Sequence, residues 1–441
     1  MLGGKLIGTG SSSCVLNPGI NCSTKKLEDK RVSKLLYHSD SKNMTDYEKK
    51  QSQMISKLKG YKKWAIIYDK FCEAPDFITL KGLDPEGIDD CFENEVIIGH
   101  EAPYENAYLL NSDYGGDTMK SVFKDLFSNS NKFNLEDNFL KFMKMMHPLF
   151  EGLKEMNKGK IVHNDIKPIN IIENDGVLKY IDFGLTGKFN NPRHFLNRSV
   201  KEYNTKRIYF YYPLEYIFFP SNDISDKNNI KNRKHYILLS EVYNQLDLDI
   251  DKVAEYILDI INTTRINIKN IIPKIDVYGL GILVPILFHT ETNIQYPYVN
   301  SKIIKDFYDL FRNMVHPDLS KRYTALQSYN KYMELMKPHM GKKIGSSKKT
   351  PKRKQTPRRK QTPRRKQTPR RKQTPRGKQT PRRKQTPRRK QTPRKRLMDR
   401  RRRRGPMRRM TPRRRSTPRI RKQTRSKRLM DRRRRKTTRR K

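Results

Sequence analysis

One run of residues, 161–185, constrains this chain more than any other feature of the sequence. It reads IVHNDIKPINIIENDGVLKYIDFGL, with polar residues set between short apolar segments. The polar residues of interest are Asp165, Lys167, Asn170 and Asp182. Because residues 177–181 have the pattern of a short strand, we predict a hairpin that brings Asn170 and Asp182 to one edge.

These four side chains suit phosphoryl transfer from ATP. That reaction needs an oriented acceptor hydroxyl, metal ions across the phosphates and positive charge near the transferring group. Asp165 can accept or orient the hydroxyl proton, and Lys167 can reach the γ-phosphate. Asn170 and Asp182 offer the hard oxygen ligands that Mg²⁺ prefers. The alternative, acids and amides scattered on loops by chance, does not explain the D-x-K-x-x-N and D-F-G spacing.

The run resembles the catalytic loop and metal-binding motif of protein kinases, and the resemblance extends over most of residues 5–338. The family's H-R-D pattern stands here as His163-Asn164-Asp165, and D-F-G begins at Asp182. The resemblance implies that Asp165 is the catalytic base and that Asn170 and Asp182 are metal ligands. Lys167 matches the serine/threonine branch of the family. ATP and Mg²⁺ are the implied cofactors, and protein hydroxyls are the implied acceptors.

A cover for the ATP phosphates is expected near the N-terminus. The family's glycine-rich loop, G-x-G-x-x-G-x-V, is resembled by eight residues, with a serine in place of the third glycine: Gly8, Thr9, Gly10, Ser11, Ser12, Ser13, Cys14 and Val15. Glycines let the backbone approach phosphates closely. Alone this pattern fits a plain hairpin turn equally well, but its place ahead of the other motifs favours the phosphate-binding role.

The lysine that contacts the α- and β-phosphates should follow on an apolar strand, and Lys34 fits that position. Glu48 is its candidate partner on the next helix, with an ordinary surface carboxylate as the alternative.

Three further segments resemble structural parts of the kinase family. Residues 109–116 resemble the hinge between lobes, and Ser112 is one candidate for the residue that guards the back pocket. Glu215 closes a segment like the family's A-P-E, and Arg322 is its usual ion-pair partner. Asp276 resembles the buried aspartate that braces the catalytic loop.

Asn164 is a departure from the family pattern, because many kinases have an arginine there that binds a phosphorylated activation loop. Without that cation a phosphate in the loop has less to pair with. We expect that activity does not depend on phosphorylation of the activation loop, for example at Thr205.

The periodicity of the chain predicts an α+β protein in two lobes, and the resemblance implies that this is the two-lobed protein-kinase fold. A small antiparallel β lobe is expected over 1–112, and a larger, mainly helical lobe over 113–341. A helix is predicted over 44–58, and an insertion over about 220–272 with a solvated first half and a helix in its second half. Short strands are predicted within 2–36 and at four later places: 64–68, 77–80, 95–98 and 107–111.

Cysteine usage and hydropathy give further expectations. The spacing of Cys14, Cys22, Cys72 and Cys91 matches no zinc pattern and no dense disulfide framework, so reduced thiols are expected. The N-terminus lacks the apolar core of a signal peptide, and the apolar stretch around 277–288 reads as a buried helix rather than a membrane span. The sequence therefore favours an intracellular protein of the cytoplasm or nucleus.

The C-terminal segment 342–441 differs sharply from the rest of the chain in composition and charge. It contains 51 lysines and arginines and two acids, whereas the preceding 341 residues carry a net charge of only +3. The hexad KQTPRR repeats from Lys354 to Pro393, and KRLMDRRRR occurs twice, at 395–403 and 427–435. A segment with so few apolar residues cannot bury a core, so we expect it to be disordered when free.

Such a polycation should bind polyanions, above all nucleic acid, with steep salt dependence and without sequence preference. A nuclear-import signal and a merely solvated tail are the alternatives, although import needs only a short basic cluster. The tail also contains ten Thr-Pro pairs, whose phosphorylation would remove positive charge. A kinase body joined to such a tail resembles the serine/threonine kinases of large double-stranded DNA viruses, which implies transport in virions. A DNA-condensing structural protein with secondary kinase activity is the competing interpretation.

Overall fold

The structure is a computed structural model, and it describes residues 5–10, 13–37, 40–84, 88–91, 107–128, 134–220, 228–263, 267–292 and 301–340. The chain divides into two units, Met1–Lys354 and Gln355–Lys441. All described residues lie in the first unit.

The N-terminal part of this unit is built on a five-stranded antiparallel sheet. Its strands are β1 (Lys5–Gly10), β2 (Ser13–Asn17), β5 (Arg31–Leu36), β6 (Lys70–Glu73) and β7 (Tyr108–Asp113). Their order across the sheet is β1-β2-β5-β7-β6. A small ribbon of β3 (Gly19–Ile20) and β4 (Leu27–Glu28) lies between β2 and β5 in the chain. The central position of β5 gives its side chains support from both neighbouring strands.

Three helices lie between the strands of this sheet in the chain: α1 (Ser41–Ile55), α2 (Tyr61–Trp64) and α3 (Phe77–Leu83). The predicted helix over 44–58 is therefore present as α1, shifted three residues toward the N-terminus. One face of α1 is buried, including Glu48 and Ile55, because it packs against β5 and β7.

Most of the remaining chain is helical. The next elements are α4 (Met119–Phe127), α5 (Leu135–Met145), α6 (His147–Lys158), β8 (Ile161–Val162), a 3₁₀ turn (Pro168–Asn170), β9 (Ile171–Asn174), β10 (Val177–Tyr180), β11 (Gly187–Lys188), α7 (Pro192–Asn204) and α8 (Leu214–Phe218). They are followed by α9 (Asn228–Lys231), α10 (Tyr236–Asn244), α11 (Ile250–Asn262), α12 (Ile268–Ile271), a 3₁₀ turn (Ile272–Lys274), α13 (Ile275–Glu291), α14 (Lys302–Met314), α15 (Ala325–Met336) and a 3₁₀ turn (Lys337–His339). A β lobe followed by a helical lobe confirms the predicted fold class.

The helical lobe has one large apolar core, which includes aromatic contacts such as Phe123 with Phe142 and Phe288. At its centre, residues 276–288 of α13 are all buried. Within the described ranges, Ile268–Glu291 is the one helical stretch long and apolar enough to cross a membrane, with mean hydropathy 1.8. Because 89% of its apolar window is buried inside the protein, it is a core helix, as the sequence predicted.

Two of the predicted strands are wrong. Phe77–Leu83 is helix α3, because Asp76 accepts hydrogen bonds from the Thr79 backbone nitrogen and hydroxyl, both at 2.8 Å, and so caps a helix start. Residues 64–68 end helix α2 and then form only an isolated bridge from Ala65 to Tyr180. The strand predicted at 107–111 is confirmed by β7, and the one at 95–98 lies outside the described residues.

The predicted solvated half of the 220–272 insertion is also wrong for the part that the structure describes. Helices α9 and α10 carry Ile230, Leu239 and Val242, which are buried and belong to the main core. Tyr243 reaches further and shares a hydrogen bond of 2.9 Å with the hydroxyl of Tyr278 in α13. The polar composition that suggested a solvated loop is carried by the outer faces of these short helices. The helix predicted in the second half is α11, which has Val253 buried as expected.

All four cysteines are paired, which corrects the expectation of free thiols. Disulfides join Cys14 to Cys91 and Cys22 to Cys72, with Cα–Cα distances of 5.9 and 5.8 Å. The partners are 77 and 50 residues apart. Sequence spacing could not indicate these pairs, because tertiary packing brings Cys14 of β2 to Cys91 and Cys72 of β6 to Cys22.

Candidate active site

A buried cation lies between two carboxylates where β5 and α1 meet the end of β10. The Lys34 amino group donates to Glu48 Oε1 at 2.9 Å and to Asp182 Oδ1 at 3.3 Å. Burial opposes the charge on Lys34, but Tyr68, Asp182 and Glu48 raise its pKa well above the ordinary value. Burial likewise opposes ionisation of Asp182, yet Lys34 and other cations keep its pKa below the usual range. The site therefore holds an ammonium group beside an ionised Asp182.

Glu48 is no surface carboxylate, since only 7% of the residue is exposed. Burial raises its pKa, while Lys34 acts in the opposite direction. Gly184 allows this close approach of α1 to the segment after β10. A Cβ atom at Gly184 would lie 2.8 Å from Glu48 Oε1, so a larger residue would displace the glutamate.

The catalytic-loop side chains form a hydrogen-bonded cluster around Asp165. Lys167 Nζ and Asn170 Nδ2 both donate to Asp165 Oδ2 at 2.8 Å. Asn170 Nδ2 also donates to the Asp165 carbonyl at 3.0 Å. Tyr209 donates its hydroxyl hydrogen to the other carboxylate oxygen, Oδ1, at 3.1 Å. Both oxygens of this 5%-exposed carboxylate are thus held by donors.

Asp276 fixes the backbone that carries this cluster. Its two carboxylate oxygens accept hydrogen bonds from the backbone nitrogens of His163, at 2.6 Å, and Asn164, at 2.9 Å. Burial raises the pKa of Asp276, and these bonds act against that shift. Asn164 has a φ of 61°, a left-handed conformation that asparagine tolerates better than most residues. The aspartate therefore supports an unusual turn immediately before Asp165.

The predicted hairpin is present as β9 and β10, paired from Tyr180↔Ile171 to Val177↔Asn174. Asn170 precedes β9 and Asp182 follows β10, and the Ile181 nitrogen donates to the Asn170 carbonyl at 3.0 Å. The antiparallel pairing thus brings the two residues to the same end of the hairpin. Asp182 has a φ of 57°, and strained backbone of this kind is concentrated at functional sites.

These two residues fit a divalent metal ion. The Asn170 amide nitrogen is used in its two bonds to Asp165, whereas its Oδ1 accepts no hydrogen bond within the described part of the chain. Asp182 keeps 37% of its side chain exposed, so its carboxylate has an open side. One carboxylate and one amide oxygen leave room for water and phosphate ligands, as Mg²⁺ requires. No cluster of three or more His, Cys, Asp or Glu residues occurs among the described residues.

The described residues of the glycine-rich segment lie at the end of β1 and the start of β2. Gly8 pairs with Val15, Thr9 with Cys14, and Gly10 with Ser13. Ser11 and Ser12 lie outside the described residues. Val15 also pairs with Lys34 on the neighbouring strand β5, so the segment extends from the edge of the sheet toward the lysine.

The hinge follows β7 and depends on close backbone packing. In the β5–β7 register, Lys34 lies opposite Leu110, which is fully buried, whereas Ser112 is two residues nearer the hinge. Gly116 has a φ of +89°, and a Cβ there would lie 2.4 Å from the Glu173 carbonyl oxygen. Glycine is therefore required where the hinge crosses β9.

The segment between Asp182 and Glu215 contains a full helix, α7, which begins with Pro192 at its first turn. The hydroxyl of Ser199 donates to the Tyr216 carbonyl at 2.5 Å, and the hydroxyl of Tyr216 donates to the Phe195 carbonyl at 2.9 Å. These reciprocal bonds fasten α7 to α8. Asn164, at 1% exposure, is neutral and buried, so it offers this segment no cation.

The predicted Glu215–Arg322 ion pair is present and completely buried. Arg322 Nη1 lies 2.6 Å from Glu215 Oε1, and each side chain is 1% exposed. Arg322 Nε also donates to the His316 carbonyl at 2.7 Å.

Sequence reasoning missed the tyrosines of this region. Tyr209 contacts Asp165, and the Tyr212 hydroxyl donates to the Asn164 carbonyl at 2.5 Å. The run Tyr209-Phe210-Tyr211-Tyr212 just before Pro213 was the available signal, because such an aromatic run beside a catalytic segment is unlikely to be only solvent-exposed.

Comparison with known proteins agrees with this geometry. Residues 3–212 match the family model described as protein kinase domain. The chain is 27% identical over 125 residues to serine/threonine-protein kinase crk1 of Schizosaccharomyces pombe, covering 27% of this chain and 37% of that protein. It is 39% identical over 82 residues to cyclin-dependent kinase 9-A of Xenopus laevis, covering 17% of this chain and 21% of that protein. The matched part spans little more than a third of these relatives at most. Residues 3–212 are therefore similar to a protein kinase domain.

Proposed function

We propose that this protein is an active serine/threonine protein kinase that transfers the γ-phosphate of ATP to protein hydroxyls. The observation that carries the proposal is the contact of Lys34 with both Glu48 and Asp182, at 2.9 and 3.3 Å. In this arrangement Lys34 of the small lobe already contacts Asp182, the carboxylate that we propose binds the metal ion. The hydrogen-bonded cluster at Asp165 supplies the second half of the site.

The proposed mechanism assigns one task to each group. The acceptor hydroxyl oxygen forms a bond to the γ-phosphorus, the bond from that phosphorus to the β,γ-bridging oxygen breaks, and ADP leaves. Asp165 orients the hydroxyl and receives its proton, while Lys167 stabilises the transferring phosphoryl group. Asn170 and Asp182 would hold Mg²⁺, which neutralises phosphate charge when bound. Lys34 contacts the α- and β-phosphates, beneath a cover formed by residues 8–15.

The first experiment is transfer of labelled phosphate from ATP to casein and to a synthetic KQTPRR peptide. We expect Asp182→Ala and Lys34→Met each to reduce labelling at least a hundredfold, because each removes a charge that contacts metal or phosphate. Asp113→Asn is the matched control, since this aspartate pairs with Arg31 and its side chain is 75% exposed. Labelling that persists in Asp182→Ala would identify a contaminating kinase and refute the proposal.

We also propose that this kinase needs no phosphate on its activation segment. The support is structural: α7 is fastened to α8 by hydrogen bonds, and Asn164 provides no cation for a phosphate. Phosphatase treatment of the purified enzyme, followed by removal of the phosphatase, should leave its initial rate unchanged. Thr205→Ala should behave likewise, and loss of activity in either experiment would contradict the proposal.

For residues 342–441 we propose non-specific binding of nucleic acid. The support is the excess of 51 basic over two acidic residues in a segment without aromatic side chains. For a protein that contacts six to ten phosphates, raising the salt concentration from about 50 to 200 mM lowers the affinity for DNA by roughly a thousandfold or more. The full chain should show that dependence on duplexes of unrelated sequence, and a chain ending at residue 341 should lose it. Equal binding by both chains would refute this proposal.

Phosphorylation of the ten Thr-Pro pairs would tune this binding. At about −1.5 to −2 charges each, ten phosphates remove roughly 15–20 positive charges and leave the tail basic. A phosphorylated tail should therefore bind DNA more weakly and with a smaller salt slope, and identical binding would exclude the idea. The resemblance to viral kinases extends the proposal to an enzyme carried with nucleic acid into particles.

The competing proposal is a DNA-condensing structural protein in which phosphotransfer is secondary. The polycationic segment favours it, and the assembled Lys34–Glu48–Asp182 contacts disfavour it. The two proposals differ in the phenotype of Asp182→Ala. A condensing protein would retain its whole biological role in that variant, whereas a kinase would lose it.

A further inference from the structure

We propose that Tyr209 is a positioning residue for Asp165, and that Tyr209 and Tyr212 together form a tyrosine latch that joins the activation segment to the catalytic loop without a phosphate. This inference rests on the proposed kinase function and goes beyond it, because it assigns roles to two side chains that lie outside the D-x-K-x-x-N and D-F-G motifs.

The first observation is the geometry around the Asp165 carboxylate. Its Oδ2 receives two donors from the catalytic loop itself, Lys167 and Asn170. Among the described residues, its Oδ1 receives one donor, the Tyr209 hydroxyl at 3.1 Å, which comes from a residue 44 positions away. Without that donor the carboxylate would be held through Oδ2 alone. With it, Oδ1 keeps a second lone pair for an incoming hydroxyl.

The second observation is that the tyrosine is itself held in place. Tyr212 donates to the Asn164 carbonyl at 2.5 Å and receives a hydrogen bond from Arg198 Nε at 3.2 Å. The rings of Tyr209 and Tyr212 have centroids 5.0 Å apart. The Ile208 backbone nitrogen donates to the Lys234 carbonyl at 3.0 Å, which ties the same segment to the chain between α9 and α10. The segment that carries Tyr209 is thus held by contacts of its neighbours Ile208 and Tyr212, which fix the position of the Tyr209 hydroxyl.

The third observation concerns charge. Burial and the neighbouring Asp165 raise the pKa of Tyr209 well above the ordinary value, so its hydroxyl keeps its proton at neutral pH. The latch bonds two consecutive residues of the catalytic loop, Asp165 through its side chain and Asn164 through its carbonyl. Because Asn164 lacks a cation, these bonds supply a link that does not require a phosphate.

The decisive variant is Tyr209→Phe, which keeps the ring and removes only the donor. We expect kcat for casein or the KQTPRR peptide to fall roughly tenfold, since a hydrogen bond to a charged group contributes about this much. The KM for the acceptor, the dissociation constant for ATP and the melting temperature should stay at wild-type values. Tyr211→Phe is the matched control, because it removes the hydroxyl of an adjacent aromatic residue that does not bond Asp165.

The outcomes separate this inference from the proposed function. An inactive wild-type enzyme refutes the kinase proposal itself. An active wild type with an unchanged kcat in Tyr209→Phe refutes the positioning role alone. An increase in kcat/KM would also refute it, because the hydroxyl would then be competing with the acceptor for Asp165. If Tyr209→Phe instead loses ATP affinity and melts earlier in step with kcat, the tyrosine is merely structural and the inference is again wrong.

Discussion

The buried ion pair of Glu215 and Arg322 allows a prediction whose size follows from the structure. Arg322→Met keeps most of the side-chain volume but removes the guanidinium, leaving Glu215 with 1% side-chain exposure and without its cation. It also removes the bond from Nε to the His316 carbonyl. Removing one partner of a buried pair costs about 3–5 kcal/mol, because the remaining charge is uncompensated. We expect a loss of unfolding free energy in that range.

Arg312→Met is the matched control. Arg312 also contacts two carboxylates, Asp247 at 3.2 Å and Asp309 at 2.6 Å, but its side chain is 35% exposed and its partners are more exposed still. Ion pairs of this kind contribute at most about 1 kcal/mol. The same chemical change at two arginines should therefore differ in cost by about 2–4 kcal/mol.

The assay is urea unfolding followed by fluorescence of the single tryptophan. Trp64 is fully buried and belongs to the core of the helical lobe, so its emission reports on the part of the molecule that contains the ion pair. In the double variant Glu215→Gln/Arg322→Met, we expect recovery of part of the loss, because no charge is then left buried. Equal costs for Arg322→Met and Arg312→Met would refute the reasoning from burial.

Three other perturbations have defined outcomes. Burial, and then Arg322, lower the pKa of Lys274 to about 8. Between about pH 8 and 10.5 the unfolded chain therefore binds a proton that the folded chain lacks, so the melting temperature of the wild type should rise over this range relative to that of Lys274→Met. Parallel plots of melting temperature against pH for the two proteins would contradict the shift. Reduction of the Cys14–Cys91 disulfide should lower the unfolding free energy by up to about 4 kcal/mol, as for a long closed loop, and peptide mapping without reductant should recover the linked pair. Gly116→Ala should raise the KM for ATP several-fold, because a Cβ there would lie 2.4 Å from the Glu173 carbonyl oxygen. Gly176 shares the positive φ, at +80°, but has no atom within 4 Å of a Cβ, so Gly176→Ala should leave the KM for ATP unchanged.

Local signals predicted much of the fold and of the site. The spacing of Asp165, Asn170 and Asp182 identified a loop and hairpin, because only eleven residues separate the two proposed metal ligands and an antiparallel pair must close between them. The apolar strand predicted for Lys34 is present as β5, and the structure places it at the centre of the sheet. Such inferences succeed because hydrophobic periodicity and turn chemistry act over a few residues.

Predictions failed where a local pattern had two solutions. The apolar run 77–80 fits a strand, but the Asp76 cap decided for a helix. The polar helices α9 and α10 have the composition of a loop, yet each has apolar residues that pack into the main core. In both cases a few hydrogen bonds or one buried face outweighed the intrinsic secondary-structure propensities of the residues. Those propensities differ between ordinary residues by less than about 1 kcal/mol per residue.

The sequence by itself determined which groups are available to this protein: a proposed base, two proposed metal ligands, two lysines proposed to contact phosphate, and a separate polycationic segment. Only the tertiary structure decided how those groups are held. The burial of Glu48, the pairing of the cysteines and the contact of Tyr209 with Asp165 each join residues distant in the chain. Pairings of that kind depend on which surfaces exclude water together, and no local pattern encodes them.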